Sequence, residues 1–165
     1  MNLLKPGDLL SLLKDKKILL DTNIFIDALI KPTVFKEFFK ELKANNVTIT
    51  TITPVVIEFL RGLPNEKTYS ERKELVDKVV DSYLPITEDI FDSVFELLKL
   101  YGLDGKGTEM TDLLLGAILM KHPEKLILIT KNTTDFPMNI FTFVAVMNLP
   151  YHRSIQTYGI YTYKK

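Results

Sequence analysis

Four acidic residues of the sequence lie in or shortly after apolar segments, namely Asp21, Glu58, Asp112 and Asp135. Carboxylates that are brought together repel each other unless a cation lies between them, and hard oxygen ligands select Mg²⁺ or Mn²⁺. Such ions activate water and stabilise phosphoryl oxygens. If the fold brings these acids together, they therefore indicate metal-assisted chemistry at a phosphoryl group.

Taken singly, two of the acids have ordinary structural interpretations. Asp21 precedes Thr and Asn at the start of a predicted helix, where Asp is a common N-cap. Glu58 could pair with Arg61 three residues further on, a contact worth roughly a few tenths of a kcal/mol. Neither residue indicates function without the others.

Asp112 and Asp135 add more to the argument. Asp112 lies in a predicted helix that is apolar nearly all round, where an uncompensated carboxylate costs about several kcal/mol and must be protonated, paired or bound to metal. Glu109 and Gly116 project from the same side, so they add an acid and leave room for something to approach. Asp135 follows an apolar run, in a polar segment before Pro137 that is typical of a turn.

The elements that must position these acids alternate between strand and helix. Strands are predicted at 18–20, 47–52, 83–86, 126–130 and 140–146, and helices at 6–13, 21–30, 33–45, 53–62, 65–81, 87–101 and 109–121. Thr53 is the predicted cap of the fourth helix, and the tail after Pro150 is predicted to add an edge strand or hairpin. The alternation predicts a three-layer α/β/α fold with a central, mostly parallel sheet of about five strands. Ligands bind at the carboxyl ends of such strands, where we expect the acids to converge.

Composition fits one globular domain spanning 1–165, with an N-terminal helical addition at 1–16 and a Tyr-rich tail at 147–165. The 21 basic and 21 acidic side chains cancel, so any nucleic-acid contact must use a local patch. The absence of cysteine excludes disulfides, zinc–thiolate sites and cysteine nucleophiles. No signal peptide or membrane span is predicted, and we expect a cytoplasmic, soluble protein.

Four segments carry a family resemblance: 20–23 (LDTN), Glu58 after Thr53-Pro54, 111–117 (TDLLLGA) and 130–136 (TKNTTDF). On these segments the chain resembles PIN-domain nucleases, and is most similar to VapC-like toxin ribonucleases. The resemblance extends over roughly residues 17–146. Gly116 stands where the family more often has Ala.

The resemblance implies a metal-dependent endoribonuclease that leaves 5′-phosphate and 3′-hydroxyl products. Asp21, Asp112 and Asp135, with Glu58 directly or through water, would hold one or two Mg²⁺ or Mn²⁺ ions. Asn23, Thr130 and Asn132 would be supporting polar residues. The substrate would be single-stranded or structured RNA, and the implied partners are an antitoxin that covers the acidic site and a second copy of the chain.

The sequence also offers candidate contacts to backbone phosphates. These are Lys31, Arg61, Lys106, Lys131 and Arg153, and the alternative for any single one of them is an ordinary solvated surface charge. His122 and His152 are the only histidines, and His122 is predicted to be a structural residue at a helix end, so a two-histidine ribonuclease mechanism is poorly supported.

Other functions stay open. A phosphatase of the haloacid-dehalogenase type would have a second acid where Asn23 stands, and a phosphate-receiver domain would have clustered acids at the first strand. A housekeeping RNA-processing nuclease of the same family, and a non-catalytic PIN-like module that binds RNA or protein, are the remaining alternatives.

Overall fold

The computed structural model describes residues 6–102 and 108–164, which form seven helices and six strands. The helices are α1 (Pro6–Leu13), α2 (Thr22–Ile30), α3 (Pro32–Ala44), α4 (Thr53–Leu60), α5 (Glu66–Val79), α6 (Glu88–Tyr101) and α7 (Met110–Lys121). The strands are β1 (Lys17–Leu20), β2 (Thr48–Thr51), β3 (Ser82–Tyr83), β4 (Leu126–Thr130), β5 (Phe141–Tyr151) and β6 (Ser154–Tyr163).

The strands form a single sheet in the order β3-β2-β1-β4-β6-β5. The first four are parallel, β6 runs antiparallel to β4, and β5 runs antiparallel to β6. Helices cover both faces of this mostly parallel sheet, which confirms the predicted three-layer α/β/α fold.

The two central strands are β1 and β4, and their apolar side chains are buried because helices lie on both faces. β2 contributes buried polar residues instead. Thr50 donates from Oγ1 to the carbonyl of Ile18 at 2.7 Å, and Thr51 donates to that of Leu20 at 2.9 Å. These bonds satisfy the hydroxyls inside the core and tie β2 to β1.

Strand order reverses between β1 and β4, because the chain leaves β1 toward β2 on one side and β4 pairs on the other. Leu20 at the end of β1 lies opposite Ile129 in β4. The residues that follow, Asp21 and Thr130, therefore emerge side by side at the carboxyl edge. Ligands bind at such a crevice in open α/β sheets.

Several predicted boundaries differ from the structure. The sheet has six strands rather than about five, since the tail forms β6. β5 runs to Tyr151 rather than ending at Val146, because Pro150 is tolerated in an edge strand. The predicted hairpin is confirmed, but its second strand β6 is inserted between β4 and β5 and is not the edge strand.

Two helix starts also differ. The N-cap of α4 is Ile52 rather than Thr53, and Thr53 is already helical. α3 begins at Pro32 rather than Thr33, since the fixed φ of proline suits the first position of a helix. Within the described ranges, no helix is both long enough and apolar enough to cross a membrane.

Candidate active site

Asp21 is the N-cap of α2 and lies almost completely buried at the end of β1. Its Oδ1 accepts from the backbone N–H of Thr22 at 2.6 Å, and its Oδ2 accepts from Thr130 Oγ1 at 2.6 Å and from Asn23 Nδ2 at 2.5 Å. Burial raises the pKa of Asp21, and these hydrogen bonds oppose that rise. Its partners fix the carboxylate in place but supply no positive charge.

Asn23 connects the two adjacent strand ends. Its Nδ2 donates to Thr130 Oγ1 at 3.0 Å, and its Oδ1 accepts from the backbone N–H of Lys131 at 3.0 Å. Thr130 in turn accepts from the backbone N–H of Asn132 at 3.0 Å. The segment after β4 is thereby held against the start of α2.

Glu58 reaches the site from α4, where it is partly buried. Thr22 donates from Oγ1 to Glu58 Oε2 at 3.0 Å. The predicted structural alternative was a pair between Glu58 and Arg61, but Arg61 is exposed at the C-cap of α4 and the two form no ion pair within 4.0 Å. The local contacts therefore turn Glu58 toward Asp21 rather than toward solvent.

Asp112 is buried in the first turn of α7, a helix otherwise apolar from Leu113 to Leu119. Burial raises the pKa of Asp112 to about 7, with further contributions from the negative charges of Asp21 and Asp135. This is the arrangement expected of a carboxylate that other acids surround.

Asp135 lies in the loop after β4, where its carboxylate accepts from the side chain of Asn132. Tyr101, at the end of α6, donates from its hydroxyl to the backbone carbonyl of Asp135 at 2.5 Å. Burial, together with the charges of Asp135 and Asp112, raises the pKa of this tyrosine. Tyr101 therefore stays a neutral donor that anchors the loop.

One cavity of about 280 Å³ brings these side chains together. All four predicted acids line it, along with Thr22, Asn23, Ile26, Glu109 and Asn132. Thr130 lies beneath, bonded to Asp21. The four acids come from the end of β1, from α4, from α7 and from the loop after β4, so only the folded chain assembles them.

The lining has the oxygen ligands that a hard divalent cation prefers. No lysine or arginine of residues 6–102 and 108–164 forms an ion pair with any of the four acids. In the same described residues, no three acidic or histidine side chains converge closely enough to enclose an ion as they stand. The donor chemistry therefore fits Mg²⁺ or Mn²⁺, whereas the present side-chain positions do not form a closed ligand set.

The PIN domain family matches residues 18–136, which is more than half of the chain. The chain belongs to the PIN domain family. A comparison with curated proteins found no match. PIN domains are generally nucleases that act on RNA, and they typically use divalent metal ions.

The PIN domain match includes the segments that hold all four acids, and it ends at Phe136. Sequence reasoning did not assign Thr22 or Ile26 to the site. Thr22 had a usable signal, because it stands between Asp21 and Asn23. Tyr101 had no such signal in the sequence, since its hydrogen bond to the loop joins positions 34 residues apart.

Gly116 does not open the site of this PIN domain, contrary to our expectation. A Cβ at this position would lie 3.0 Å from Leu97 Cδ1 and 3.0 Å from Phe141 Cζ. The glycine thus allows α7 to pack closely against α6 and β5, so its role is in the core.

The predicted phosphate contacts fall into different environments. Lys31 is buried, and its ammonium pairs with Asp27 at 3.1 Å, so it is not accessible to a phosphate. Lys131 is about half exposed and also pairs with Asp27, at 3.1 Å. Arg61 and Arg153 are exposed. Lys106 lies outside the described residues.

Proposed function

We propose that this PIN domain is a metal-dependent endoribonuclease that hydrolyses RNA phosphodiester bonds. The observation that carries the proposal is the convergence of four carboxylates from separate elements on one cavity, with no positive side chain paired to them among the described residues. Repulsion between these charges favours uptake of a cation.

In this proposal Asp21, Asp112 and Asp135 hold one or two Mg²⁺ or Mn²⁺ ions, and Glu58 contributes directly or through water. A bound ion of this kind lowers the pKa of water and stabilises phosphoryl oxygens. Neighbouring residues of the chain hold these carboxylates in position. Thr130 and Asn23 orient the Asp21 carboxylate, and Asn132 orients that of Asp135.

The experiment that tests the proposal is cleavage of a labelled structured RNA in Mn²⁺, in Mg²⁺ and in EDTA. The Asp112→Asn variant should lower the cleavage rate at least about 100-fold, since loss of a supporting partner alone typically costs 10- to 100-fold. Asp92→Asn is the matched control, because Asp92 is an exposed aspartate of α6 away from the cavity. Equal activity of the two variants would remove Asp112 from the site.

A more specific form of the proposal is that the enzyme is the toxin of a toxin–antitoxin pair. Ile26 lines the cavity and is 43% exposed, and Ile57, next to Glu58, is 60% exposed. Exposed apolar side chains beside an acidic cleft suit a protein that covers the site. In this form the protein is cytoplasmic and a single domain, and it forms a homodimer.

If the protein is a toxin, a neighbouring gene should encode a small DNA-binding protein. That protein should abolish cleavage when it is co-purified with this chain. Cleavage that persists with such a neighbour bound would favour the housekeeping RNA-processing alternative. Binding of RNA without cleavage in any metal ion would favour the non-catalytic module.

A further inference from the structure

The β5–β6 hairpin extends past the carboxyl edge where the candidate active site lies. β6 runs antiparallel to β4, and Gly159 lies opposite Thr130, the last residue of β4. The earlier residues of β6 therefore lie beyond the end of β4, paired with β5. We call residues 147–158 the hairpin arm. At about 3.3 Å per residue, its turn lies roughly 17 Å beyond Thr130 along the strand.

Contacts at the base of the hairpin arm tie it to the candidate site. Tyr158 is fully buried and donates from its hydroxyl to Asp27 Oδ2 at 2.7 Å. The same carboxylate oxygen accepts from Lys131 Nζ at 3.1 Å, and the backbone N–H of Lys131 donates to Asn23. The hairpin arm is therefore held in a defined position relative to the cleft before any ligand binds.

The tip of the hairpin arm presents one exposed ring, that of His152, and a positive charge. Tyr151 and Ser154 pair across a two-residue turn made by His152 and Arg153. The ring of Tyr151 is half-buried, with the ammonium of Lys31 5.5 Å from its centroid, and the exposed ring of His152 lies 4.4 Å from it, between centroids. Arg153 is exposed, and it has no ion-pair partner within 4.0 Å in the described part of the chain.

The backbone of this turn has an uncommon conformation at His152. His152 has φ +51°, in the left-handed region that Gly and Asn adopt more readily. Two-residue hairpin turns are accordingly rich in Asn-Gly and similar pairs. Histidine is one of the few other residue types that adopt this region, and the turn leaves the side chains of His152 and Arg153 exposed to solvent.

The chemistry of the tip fits one class of ligand. Exposed rings stack on unpaired bases, and a guanidinium contacts phosphate, whereas a duplex hides the faces of its bases. The acidic cleft itself repels a polyanion, so a substrate needs positive charge beside it. We infer that the hairpin arm binds single-stranded RNA beside the cleft, with Arg153 on a phosphate and the exposed ring of His152 stacked on a base. The inference rests on the proposed function for the role of RNA as substrate.

The test measures binding of a fluorescently labelled polyuridylate by anisotropy, at low salt and in EDTA. Arg153→Ala should weaken binding about tenfold and reduce the slope of log affinity against log salt by about 0.7. His152→Ala should weaken binding about fivefold, through lost stacking. Lys125→Ala is the matched control, because it removes an exposed positive charge directly before β4, at the opposite edge of the sheet. Each affected variant should raise KM for cleavage and leave kcat unchanged.

Equal binding by Arg153→Ala and Lys125→Ala would overturn the inference, and so would duplex RNA binding as tightly as the single strand. Failure of the wild-type protein to bind the polyuridylate would also overturn the inference. That result would favour a protein as the partner of the tip. Because the assay contains no metal ion and needs no cleavage, it is independent of the proposed activity. Binding through the arm by a protein that cuts no RNA supports the inference and rejects the nuclease.

Discussion

Helix α2 places two buried aspartates in the structure, and their surroundings are opposite. Asp27 is 5% exposed, and it pairs with Lys31 and Lys131 while also accepting a hydrogen bond from Tyr158. Asp21 is equally buried, but its hydrogen-bond partners are neutral and Glu58 lies close enough to raise its pKa. Helix α2 therefore contains one carboxylate that the chain neutralises, and its N-cap is one that the chain does not neutralise.

The pKa shifts express the same difference. Burial alone would raise the pKa of Asp27, but hydrogen bonds from Tyr158, Lys131 and Lys31 hold it below its usual value. Burial, together with the charges of the neighbouring acids, raises the pKa of Asp112 to about 7. A buried acid with its own cations stabilises the fold. Buried acids without them destabilise it unless a cation arrives from solution, which is the behaviour expected of a metal-binding site.

The largest expected effect on stability is that of Asp27→Asn. The change leaves the buried ammonium of Lys31 without an anion, which should lower the free energy of unfolding by about 3–5 kcal/mol. Asp77→Asn is the control, since Asp77 forms the same kind of pair with Lys73 on the exposed side of α5 and should cost less than about 1 kcal/mol. Urea denaturation at pH 7 measures both, and equal losses would contradict a structural role for the buried pair.

The contribution of Asp27 should also depend on pH. Its pKa is lower in the folded state than the unfolded value of about 3.9, so the unfolded state binds the proton more readily. The stabilisation is therefore present above about pH 4 and is lost as the pH falls through the folded pKa. Below pH 4, the free energy of unfolding measured by urea denaturation should fall more steeply with decreasing pH in the wild-type protein than in Asp27→Asn.

Asp112→Asn should have the opposite effect on stability. Above pH 7 it should raise the free energy of unfolding of the metal-free protein by about 2–4 kcal/mol. The folded pKa is about 7 and the unfolded value about 3.9, so the folded state binds the proton more tightly. The free energy of unfolding should therefore fall as the pH rises from about 4 to 7, and the variant should lack this decrease. Urea denaturation across that range in EDTA checks it. A destabilised variant would indicate that Asp112 has a structural partner.

Part of this comparison could be predicted from the sequence. Asp21 and Asp112 stand out because each interrupts or ends an apolar segment, and burial follows from that context. Asp27 was missed because it occupies an ordinary position in an amphipathic helix. Its partners Lys131 and Tyr158 are 104 and 131 residues away, so only the fold brings them into contact.

The same limit explains the errors in the sheet. β4 was predicted with its observed bounds because four apolar residues in a row precede Thr130. The position of β6 between β4 and β5 depends on non-consecutive pairing, which hydrophobic periodicity does not contain. The sequence therefore predicted a hairpin in the tail and a phosphate contact at Arg153, but not the position of the hairpin arm beyond the end of β4.

Divalent metal ions should stabilise the protein only by binding to the acids of the cleft. If Mn²⁺ binds the acids, a concentration well above its dissociation constant should raise the free energy of unfolding by about 1–3 kcal/mol. Thermal denaturation with and without Mn²⁺ measures the shift. Asp92→Asn should respond as the wild-type protein does, and Asp112→Asn should respond weakly or not at all. An identical response in both variants would place the metal ion elsewhere.

The smallest expected effect is that of Tyr158→Phe, which removes one donor from Asp27 and leaves both lysines in place. Because the hydroxyl is buried and bonds an ionised carboxylate at 2.7 Å, its loss should lower the free energy of unfolding by about 1.5 kcal/mol. The decrease should be well below that of Asp27→Asn, and the response to Mn²⁺ should be unchanged, since Tyr158 does not line the cleft. Denaturation of Tyr158→Phe, of Asp27→Asn and of the double variant measures the energetic coupling between the two residues. Additive losses would show that the two residues do not act as one unit, and the distinction between the two aspartates of α2 would then rest on the lysines alone.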